Sequence, residues 1–328
     1  MRVCILTEAG KGVGFGHITR CMSIYQAFEE IDVESELVVN GDETVRGYVK
    51  DGHCRVFDWL NNRETLFAEL RDIDIVFIDS YLADYNLYEK ISDVARIGIY
   101  FDDNIRIEYP KGFVINGAIF AERMSYPGTE DVKYLLGTKY APLRKEFWDV
   151  PEKTIRGTLE TVMIILGGAD IRNLTPKILK AMRDNYPGLL LKVVIGAGFQ
   201  NLAEIERCRG NNTKLIYHPN AAEMRDIMFE SDAAISSCGQ TLYELARVGV
   251  PTVGICVADN QLQNTKGWQE AGFLKYTCMY NSENMEKELM NFMKELTCID
   301  IRIEMSHVGR TFVDGKGPSR IISALGIG

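Results

Sequence analysis

The stretch Arg2-Val3-Cys4-Ile5-Leu6-Thr7, followed closely by Gly10-Lys11-Gly12-Val13-Gly14-Phe15-Gly16-His17, decides the fold class. Its residues from Val3 to Leu6 are all apolar, which is typical of a strand buried on both faces of a parallel sheet. The glycines permit a sharp turn, and residues 16–30 have the apolar spacing of a helix. A buried strand, a glycine-rich turn and a helix predict the first unit of a parallel α/β sheet.

The same alternation of short apolar runs and helical patterns continues along the chain, and it restarts after a polar stretch at 149–157. We therefore expect an α/β protein with two Rossmann-like, doubly wound domains facing a cleft: residues 1–150 and residues 151–328. The last helix could pack on either domain, including back on the N-terminal one. Further strands are predicted at 36–40, 75–79, 96–101, 113–116, 161–166, 190–195, 213–217, 233–236 and 251–256. Further helices are predicted at 174–185, 221–229, 240–248, 261–271, 282–296 and 315–325.

Composition excludes several other classes of protein. The 328 residues include 37 basic and 46 acidic side chains, a net charge of −9 that argues against a nucleic-acid partner. The eight cysteines are scattered without a C-x-x-C pair, so neither a zinc site nor a disulfide framework is expected. The apolar runs are far shorter than the roughly 20 residues of a membrane-spanning helix. The N-terminus lacks a signal-peptide layout, and we expect a cytoplasmic protein without stable membrane insertion; the oligomeric state is not predicted.

His17 is the first candidate for chemistry. It lies where the first strand has ended and the first helix begins, and open parallel sheets bind ligands at the carboxyl ends of their strands. The helix start favours a neutral ring that can accept a proton. A capping or core histidine is the alternative. The surrounding glycines also suggest a dinucleotide-binding turn, but their spacing fits that motif poorly.

Carboxylates are predicted at the same sheet edge as His17. Asp79-Ser80-Tyr81 ends the third predicted strand, and Asp102-Asp103 follows the fourth. One of these carboxylates could orient the imidazole or activate water. The alternative is that they cap the helices that follow, which Asp and Ser do routinely.

The segment Ser236-Ser237-Cys238-Gly239-Gln240-Thr241 is the clearest anion site in the second half. A strand ends there in small polar residues and a helix begins, so backbone N–H groups and hydroxyls could hold a diphosphate. Glu244, about one turn further, could accept both hydroxyls of a ribose. Gly167-Gly168 and the amides near Asn260-Gln261 follow other strands of the same half. The alternative is an ordinary capped helix with polar loops around it.

At these residues the sequence resembles a known group of enzymes. Gly14-x-Gly16-His17-x-x-Arg20, Asp79-Ser80-Tyr81, Phe101-Asp102-Asp103, Gly167-Gly168-x-Asp170 and Ala258-Asp259-Asn260-Gln261 look like the nucleotide-sugar hydrolases of pseudaminic acid synthesis. These act on UDP-2,4-diacetamido-2,4,6-trideoxy-altropyranose and have spore-coat polysaccharide proteins as relatives. The group is similar to the GT-B glycosyltransferases, which implies GT-B architecture with the nucleotide held by the C-terminal domain and no metal or other cofactor.

The resemblance also implies roles for individual residues. The catalytic residues would be His17, Asn260, Asp79 and Tyr81, with Asn260 a neighbour of the reacting centre. Gly239 and Thr241 would contact the diphosphate, Glu244 the ribose, and the loop 219–224 the uracil. Cys238 and Gln240 stand where the group usually has Ser or Thr, which removes a hydroxyl donor. The residues implied at the nucleotide-sugar site are Gly14, Gly16, Arg20, Gly168, Ala221, Met224, Ser237, Cys238, Gly239, Gln240, Thr241, Glu244 and Gln261.

Three functions follow as hypotheses. The first is a UDP-sugar hydrolase that attacks the anomeric carbon with water and releases UDP and a free diacetamido-trideoxyhexose. The second is a GT-B glycosyltransferase that passes the sugar to an acceptor hydroxyl. The third is a nucleotide-binding module without turnover. The absence of a basic amphipathic stretch in the N-terminal half favours the hydrolase over a transferase with a lipid acceptor.

Overall fold

Two parallel β-sheets organise the chain. The computed structural model describes residues 1–10, 13–42, 44–45 and 54–327. Within them, unit 1 comprises Met1–Lys145 together with the residues from Lys316 onward, and unit 2 comprises Glu146–Gly315. Helices follow most strands of both units. The expected α/β class, with two doubly wound sheets, is confirmed.

The sheet of unit 1 has the strand order β3-β2-β1-β4-β5-β6-β7, with every pair parallel. The order reverses between β1 and β4, where Thr7 lies opposite Asp79. Open α/β sheets bind ligands at the carboxyl ends of strands at such a reversal. The strands are β1 (Arg2–Ala9), β2 (Glu34–Gly41), β3 (Cys54–Val56), β4 (Ile75–Asp79), β5 (Ile97–Phe101), β6 (Gly112–Asn116) and β7 (Val132–Leu136). The helices before the crossing to unit 2 are α1 (Gly16–Glu29), α2 (Arg63–Glu69) and α3 (Tyr85–Val94).

The sheet of unit 2 repeats this topology with the order β10-β9-β8-β11-β12-β13. Its reversal falls between β8 and β11, where Ser236 lies opposite Ile165. The strands are β8 (Thr161–Ile165), β9 (Leu190–Ile195), β10 (Thr213–Tyr217), β11 (Ala233–Ser237), β12 (Thr252–Cys256) and β13 (Tyr276–Met279). The helices are α4 (Thr175–Asn185), α5 (Leu202–Cys208), α6 (Ala221–Glu230), α7 (Thr241–Val248), α8 (Leu262–Ala271), α9 (Met285–Glu295) and α10 (Ile299–Phe312).

The central strands are apolar because helices or loops cover them on both faces. All five residues of β4 are buried, and so are all five of β8. Trp59 is fully buried and donates its Nε1–H to the carbonyl of Thr7 over 3.0 Å, which ties the segment after β3 to β1. Burying each large apolar side chain contributes about 1.5–3 kcal/mol, so this packing holds the end of β1 in place.

The last helix, α11 (Gly317–Ala324), packs within unit 1. A Cβ on Gly317 would lie 2.0 Å from the carbonyl oxygen of Ala141, so only glycine permits this approach. Arg320 donates to the carbonyl of Lys139 over 3.1 Å. These contacts join the end of the chain to the segment that follows β7.

Several element boundaries differ from the sequence predictions. The helix predicted at 282–296 begins at Met285, because Ser282 and Met285 donate their N–H groups to Met279 and Ser282 in successive turns. No helix among the described residues is both long and apolar enough to span a bilayer.

Candidate active site

A histidine–aspartate pair lies at the strand-order reversal of unit 1. His17 is the second residue of α1, and Asp79 is the last residue of β4. The Nδ1 atom of His17 lies 2.6 Å from Oδ1 of Asp79, and both residues are buried, at 7% and 1% exposure. An ionised carboxylate only accepts hydrogen bonds, so Nδ1 carries a proton, and in the neutral ring the lone pair lies on Nε2.

Arg20 holds Asp79 in its ionised form. Its Nη2 donates to Oδ1 of Asp79 over 2.6 Å, and its Nε donates to Oδ2. Burial alone raises the pKa of Asp79, but the Arg20 guanidinium, followed by His17, outweighs burial and holds that pKa well below its usual range. Asp79 therefore stays ionised next to Nδ1 of the imidazole.

The guanidinium of Arg20 also binds Asp103. Its Nη1 and Nη2 donate to Oδ1 and Oδ2 of Asp103 over 2.7 and 3.0 Å, and it lies 5.1 Å from the ring centroid of Phe101. Burial lowers the pKa of Arg20, but Asp103 and Asp79 raise it by more than burial lowers it, so the guanidinium stays charged. These two carboxylates accept four of the five N–H donors of Arg20, and the contact with the nucleotide sugar expected of Arg20 stays a prediction.

Tyr81 packs directly on His17. The two rings meet edge to face with centroids 4.5 Å apart, and the Tyr81 hydroxyl donates to Oδ2 of Asp103. Burial and then Asp103 raise the pKa of Tyr81, so its hydroxyl remains a donor. The catalytic role expected for Tyr81 stays a prediction, and the structure supports contact with His17 rather than proton acceptance by the phenol.

Glu8 supports this turn and was missed from the sequence. It is fully buried, its Oε1 accepts the backbone N–H of Tyr81 over 2.5 Å, and its Oε2 accepts the Ser80 hydroxyl over 3.0 Å. A carboxylate near the end of an otherwise apolar strand at the reversal point was the available signal.

Asp102 has a structural role that differs from that of Asp103. Its carboxylate accepts the hydroxyls of Tyr126 and Tyr109 over 2.6 and 2.8 Å and the N–H of Ile105 over 2.8 Å. Ile105 has φ +57°, an unfavourable value for a β-branched residue. Asp102 therefore folds the loop after β5, and Asp103 of that loop reaches Arg20.

The glycine-rich turn before α1 is closed by a pair of glycines. Gly14 donates to the carbonyl of Gly10 over 2.7 Å, and Gly10 donates back over 3.1 Å. Gly10 and Gly14 have φ +139° and +87°, which favour glycine. Nothing crowds the Cβ position of Gly16 at the start of α1. Lys11 and Gly12 lie outside the described residues, and the ligand contacts expected of Gly14 and Gly16 stay predictions.

In unit 2, the turn from β11 to α7 presents free backbone donors. Gly239, Gln240 and Thr241 are partly accessible, and no residue in the described part of the chain accepts their N–H groups. The helix has no side-chain cap at this end. Ser237 lies beside the turn after β8, since a Cβ on Gly167 would be 3.6 Å from its hydroxyl oxygen. Such a helix start favours a bound anion.

The other residues predicted around this turn have different surroundings. Cys238 is fully buried, donates its N–H to the carbonyl of Ile255 and accepts from Asn264, so it has no surface for a nucleotide. Asn260 is exposed, and the Gln261 side chain accepts a backbone N–H just after β12 over 3.1 Å.

Glu244 and Gly168 lie at the carboxyl edge of the same sheet. Glu244 is one turn into α7 and only 5% exposed, while Gly168 is exposed with open space at its Cβ position. The nearby Asp170 accepts the N–H groups of Leu174 and Thr175 over 2.9 Å each and so caps the start of α4.

The segment 219–224, expected to border the base, is the capped start of α6. Asn220 accepts the N–H of Glu223 over 3.0 Å, and Glu223 accepts the N–H of Asn220 over 2.8 Å. Ala221 is partly accessible, whereas Met224 is 9% exposed and packs largely inward. The base contact therefore stays a prediction for Ala221, and Met224 can offer it little surface.

Replacing Asn220 with alanine is expected to lower the free energy of unfolding by about 1 kcal/mol, because the capping box loses its acceptor. Thermal unfolding should show a decrease in Tm of about 2–4 °C. Asn220→Asp, which keeps the acceptor, should unfold near the wild-type temperature. Equal losses of stability in both variants would show that the capping acceptor is not the cause of the loss.

Clusters of three or more His, Cys, Asp and Glu that could hold a metal ion are absent from residues 1–10, 13–42, 44–45 and 54–327. The expectation that no metal is required stays a prediction.

Solved structures identify the class of fold. The chain superposes on MurG of Acinetobacter baumannii with a TM-score of 0.67 at 14% identity, covering 99% of both chains. It superposes on Staphylococcus aureus MnaA, solved with UDP, with a TM-score of 0.65 at 12% identity, covering 99% of this chain and 95% of that one. The fold is the two-domain α/β fold of the GT-B class.

Particular relatives appear in sequence comparisons. No protein-family model matches the chain. It is 24% identical over 280 residues to the UDP-2,4-diacetamido-2,4,6-trideoxy-beta-L-altropyranose hydrolase of Campylobacter jejuni, covering 82% of this chain and 96% of that one. It is 23% identical to spore coat polysaccharide biosynthesis protein SpsG of Bacillus subtilis, covering 99% and 98%. The resemblance inferred from the motifs is confirmed at this level.

Two further relatives are longer than the chain. Residues of this chain match 49% of a Helicobacter pylori protein named as pseudaminic acid cytidylyltransferase and UDP-2,4-diacetamido-2,4,6-trideoxy-beta-L-altropyranose hydrolase, at 24% identity over 85% of this chain. They match 66% of a Methanocaldococcus jannaschii protein at 25% identity. The chain thus spans about half to two thirds of these relatives.

Proposed function

We propose that this chain is a nucleotide-sugar hydrolase that releases UDP and a free diacetamido-trideoxyhexose. The coarser conclusion, an enzyme of GT-B fold that acts on nucleotide sugars, is supported by the names of its sequence relatives and by the fold. Hydrolysis and the particular sugar are carried by the resemblance to the relatives named as hydrolases.

The single structural observation that carries the proposal is the His17–Asp79 pair. Its geometry leaves Nε2 of His17 as a base beside Tyr81. In the proposed step, a water oxygen forms a bond to the anomeric carbon as its proton passes to Nε2. The bond from that carbon to the diphosphate oxygen breaks, and UDP leaves with the electron pair. Asp79 stabilises the imidazolium that forms.

Unit 2 is proposed to bind the nucleotide. The free N–H groups of Gly239, Gln240 and Thr241 are suited to the charge that grows on the departing diphosphate. Glu244, one turn further, is proposed to accept the ribose hydroxyls. Asn260 is exposed after β12 and is proposed to contact the sugar.

Because backbone donors are proposed to stabilise the leaving group, we propose that hydrolysis needs no metal. Turnover should be unchanged after treatment with EDTA, and adding Mg²⁺ or Mn²⁺ should not increase it. A loss of activity in EDTA that Mg²⁺ reverses would contradict this proposal.

A glycosyltransferase is the second candidate. The observation in its favour is that an oriented imidazole base can deprotonate an acceptor hydroxyl as readily as water. The turn of unit 2 that is proposed to bind the nucleotide would serve both reactions equally.

One experiment separates these functions. The protein is incubated with UDP-, GDP- and CMP-sugars without any acceptor, and released nucleotide and free sugar are measured by mass spectrometry. Release of UDP with an equal amount of free sugar supports hydrolysis. Release only after an acceptor is added supports transfer, and binding without release supports a non-catalytic module. In H₂¹⁸O, hydrolysis by attack at the anomeric carbon places ¹⁸O in the sugar and not in UDP.

A further inference from the structure

The proposed reaction gives no part to Asp103 and none to the positive charge of Arg20. Nevertheless, both are held in the cluster that contains His17. The Arg20 side chain is 12% exposed and bonds two carboxylates, one on each side of it. One of these carboxylates, Asp79, contacts the His17 ring, and the other, Asp103, contacts the Tyr81 hydroxyl.

We infer that Arg20 and Asp103 are positioning residues that set the direction and protonation of the His17 ring. This inference rests on the proposed function for its effect on rate. Arg20 acts through Asp79, which accepts Nδ1–H. Asp103 acts through Tyr81, whose ring edge lies against the imidazole. Together they fix the ring from two directions, so that Nε2 is the atom left to accept a proton.

The planar fork of arginine suits this task. Its five N–H donors bind carboxylates in pairs, and here four contacts reach four carboxylate oxygens. A lysine supplies the charge but cannot hold both carboxylates in one plane. The structure therefore uses both the shape of the guanidinium and its charge.

The charge of Arg20 keeps His17 available as a base. Without that cation, two carboxylates would surround the imidazole and favour its protonated form, which cannot accept a proton from water. Without Asp103, the cation would face Asp79 alone and favour the neutral ring. Among the residues that the structure describes, the titratable groups around the ring are Asp79 of β4, Tyr81 of the following turn, Arg20 and Cys21 of α1, Asp103 after β5, and Glu8 of β1 behind Tyr81.

The test measures the ring itself by long-range ¹H–¹⁵N NMR of the full chain. The sequence has four histidines, and His17→Gln identifies the His17 signal. In the wild type, Nδ1 should carry the proton and Nε2 should not. In Arg20→Gln, the pH at which His17 titrates should rise by about one unit, and in Asp103→Asn it should fall. The acid limb of the kcat/KM profile should move in the same two directions.

Arg20→Lys separates shape from charge. It should leave the titration of His17 near that of the wild type, lower kcat about tenfold or more, and leave KM nearly unchanged. Arg63→Gln is the matched control, because Arg63 forms a similar forked pair with Asp84 on the surface of unit 1. It should change neither the ring titration nor the pH profile.

Shifts of the His17 titration in opposite directions in Arg20→Gln and Asp103→Asn support the inference. A loss of packing alone would not shift the titration up in one variant and down in the other. Unchanged His17 titration in folded Arg20→Gln and Asp103→Asn proteins would overturn it. If Arg20→Gln does not fold, the result for Asp103→Asn alone is used. A downward shift of the His17 titration in that variant supports the inference, and an unchanged titration overturns it. If no nucleotide sugar is hydrolysed but the titration shifts as expected, the positioning roles stand and the proposed function fails.

Discussion

Replacing His17 with alanine is expected to reduce the rate of UDP release about a thousandfold, with UDP affinity changed less than threefold. The reason is that a positioned general base contributes about 10²–10⁴ in rate, whereas the nucleotide is proposed to bind to unit 2. Steady-state kinetics with the best substrate of the panel measures the first quantity, and isothermal titration with UDP measures the second.

Two further variants make the His17 result specific. Asp79→Asn keeps the shape of the partner but can present an amide N–H to the ring, so it should also lower kcat strongly. His307 is exposed on α10, and His307→Ala should retain wild-type turnover. A His17→Ala protein that hydrolyses the substrate within twofold of the wild-type rate would remove His17 from the mechanism. A change confined to UDP affinity would contradict the proposed division of roles.

The central strands were predictable because each is buried on both faces. The predicted ranges at 75–79 and 190–195 match the inner strands β4 and β9, and the range at 213–217 matches β10, which lies at the edge of its sheet. The strands β3, β7 and β13 were not predicted, and each lies at the edge of its sheet. Because an edge strand has a neighbour on one side only and is less buried, its apolar run is short or interrupted, as at Val132–Leu136.

The His17–Asp79 pair was predictable in part, since both residues follow strands that meet at the reversal of the sheet. The partners of Arg20 were not predictable from the sequence. Arg20 lies three residues after His17, and its carboxylates are 59 and 83 residues away along the chain. The sequence pattern places charges at a sheet edge, but only the folded position of α1, which brings Arg20 to Asp79 and Asp103, decides that Arg20 binds carboxylates.

The same limit applies to Cys238. A residue in a strand-to-helix turn can face solvent or the interior, and the sequence pattern is identical in the two cases. In the structure, the Cys238 side chain faces the interior and lies against β12. A Cβ on Gly254 of that strand would lie 2.9 Å from the Cys238 sulfur. The missing hydroxyl at this position therefore removes no ligand donor from the surface of the turn.

Replacing Glu244 with glutamine is expected to raise the Kd for UDP roughly 10- to 100-fold, since a hydrogen bond to a charged group contributes about 1.5–3 kcal/mol. The carboxylate lies in the first turn of α7, beside the free N–H groups proposed to hold the diphosphate. In the proposed function this carboxylate accepts the ribose hydroxyls, so its replacement should weaken the binding of the nucleotide.

The ribose contact can be isolated by comparing UDP with dUDP, which lacks the 2′-hydroxyl. The wild type should prefer UDP, and Glu244→Gln should narrow that preference because only UDP loses the contact. Glu286 lies in the first turn of α9 and is exposed, so Glu286→Gln should leave both affinities unchanged. If Glu244→Gln weakens UDP and dUDP by the same factor, Glu244 supports the fold of the turn and does not contact the 2′-hydroxyl. Titration calorimetry of the three proteins with both nucleotides decides between a contact to the sugar and a role in shaping the diphosphate site.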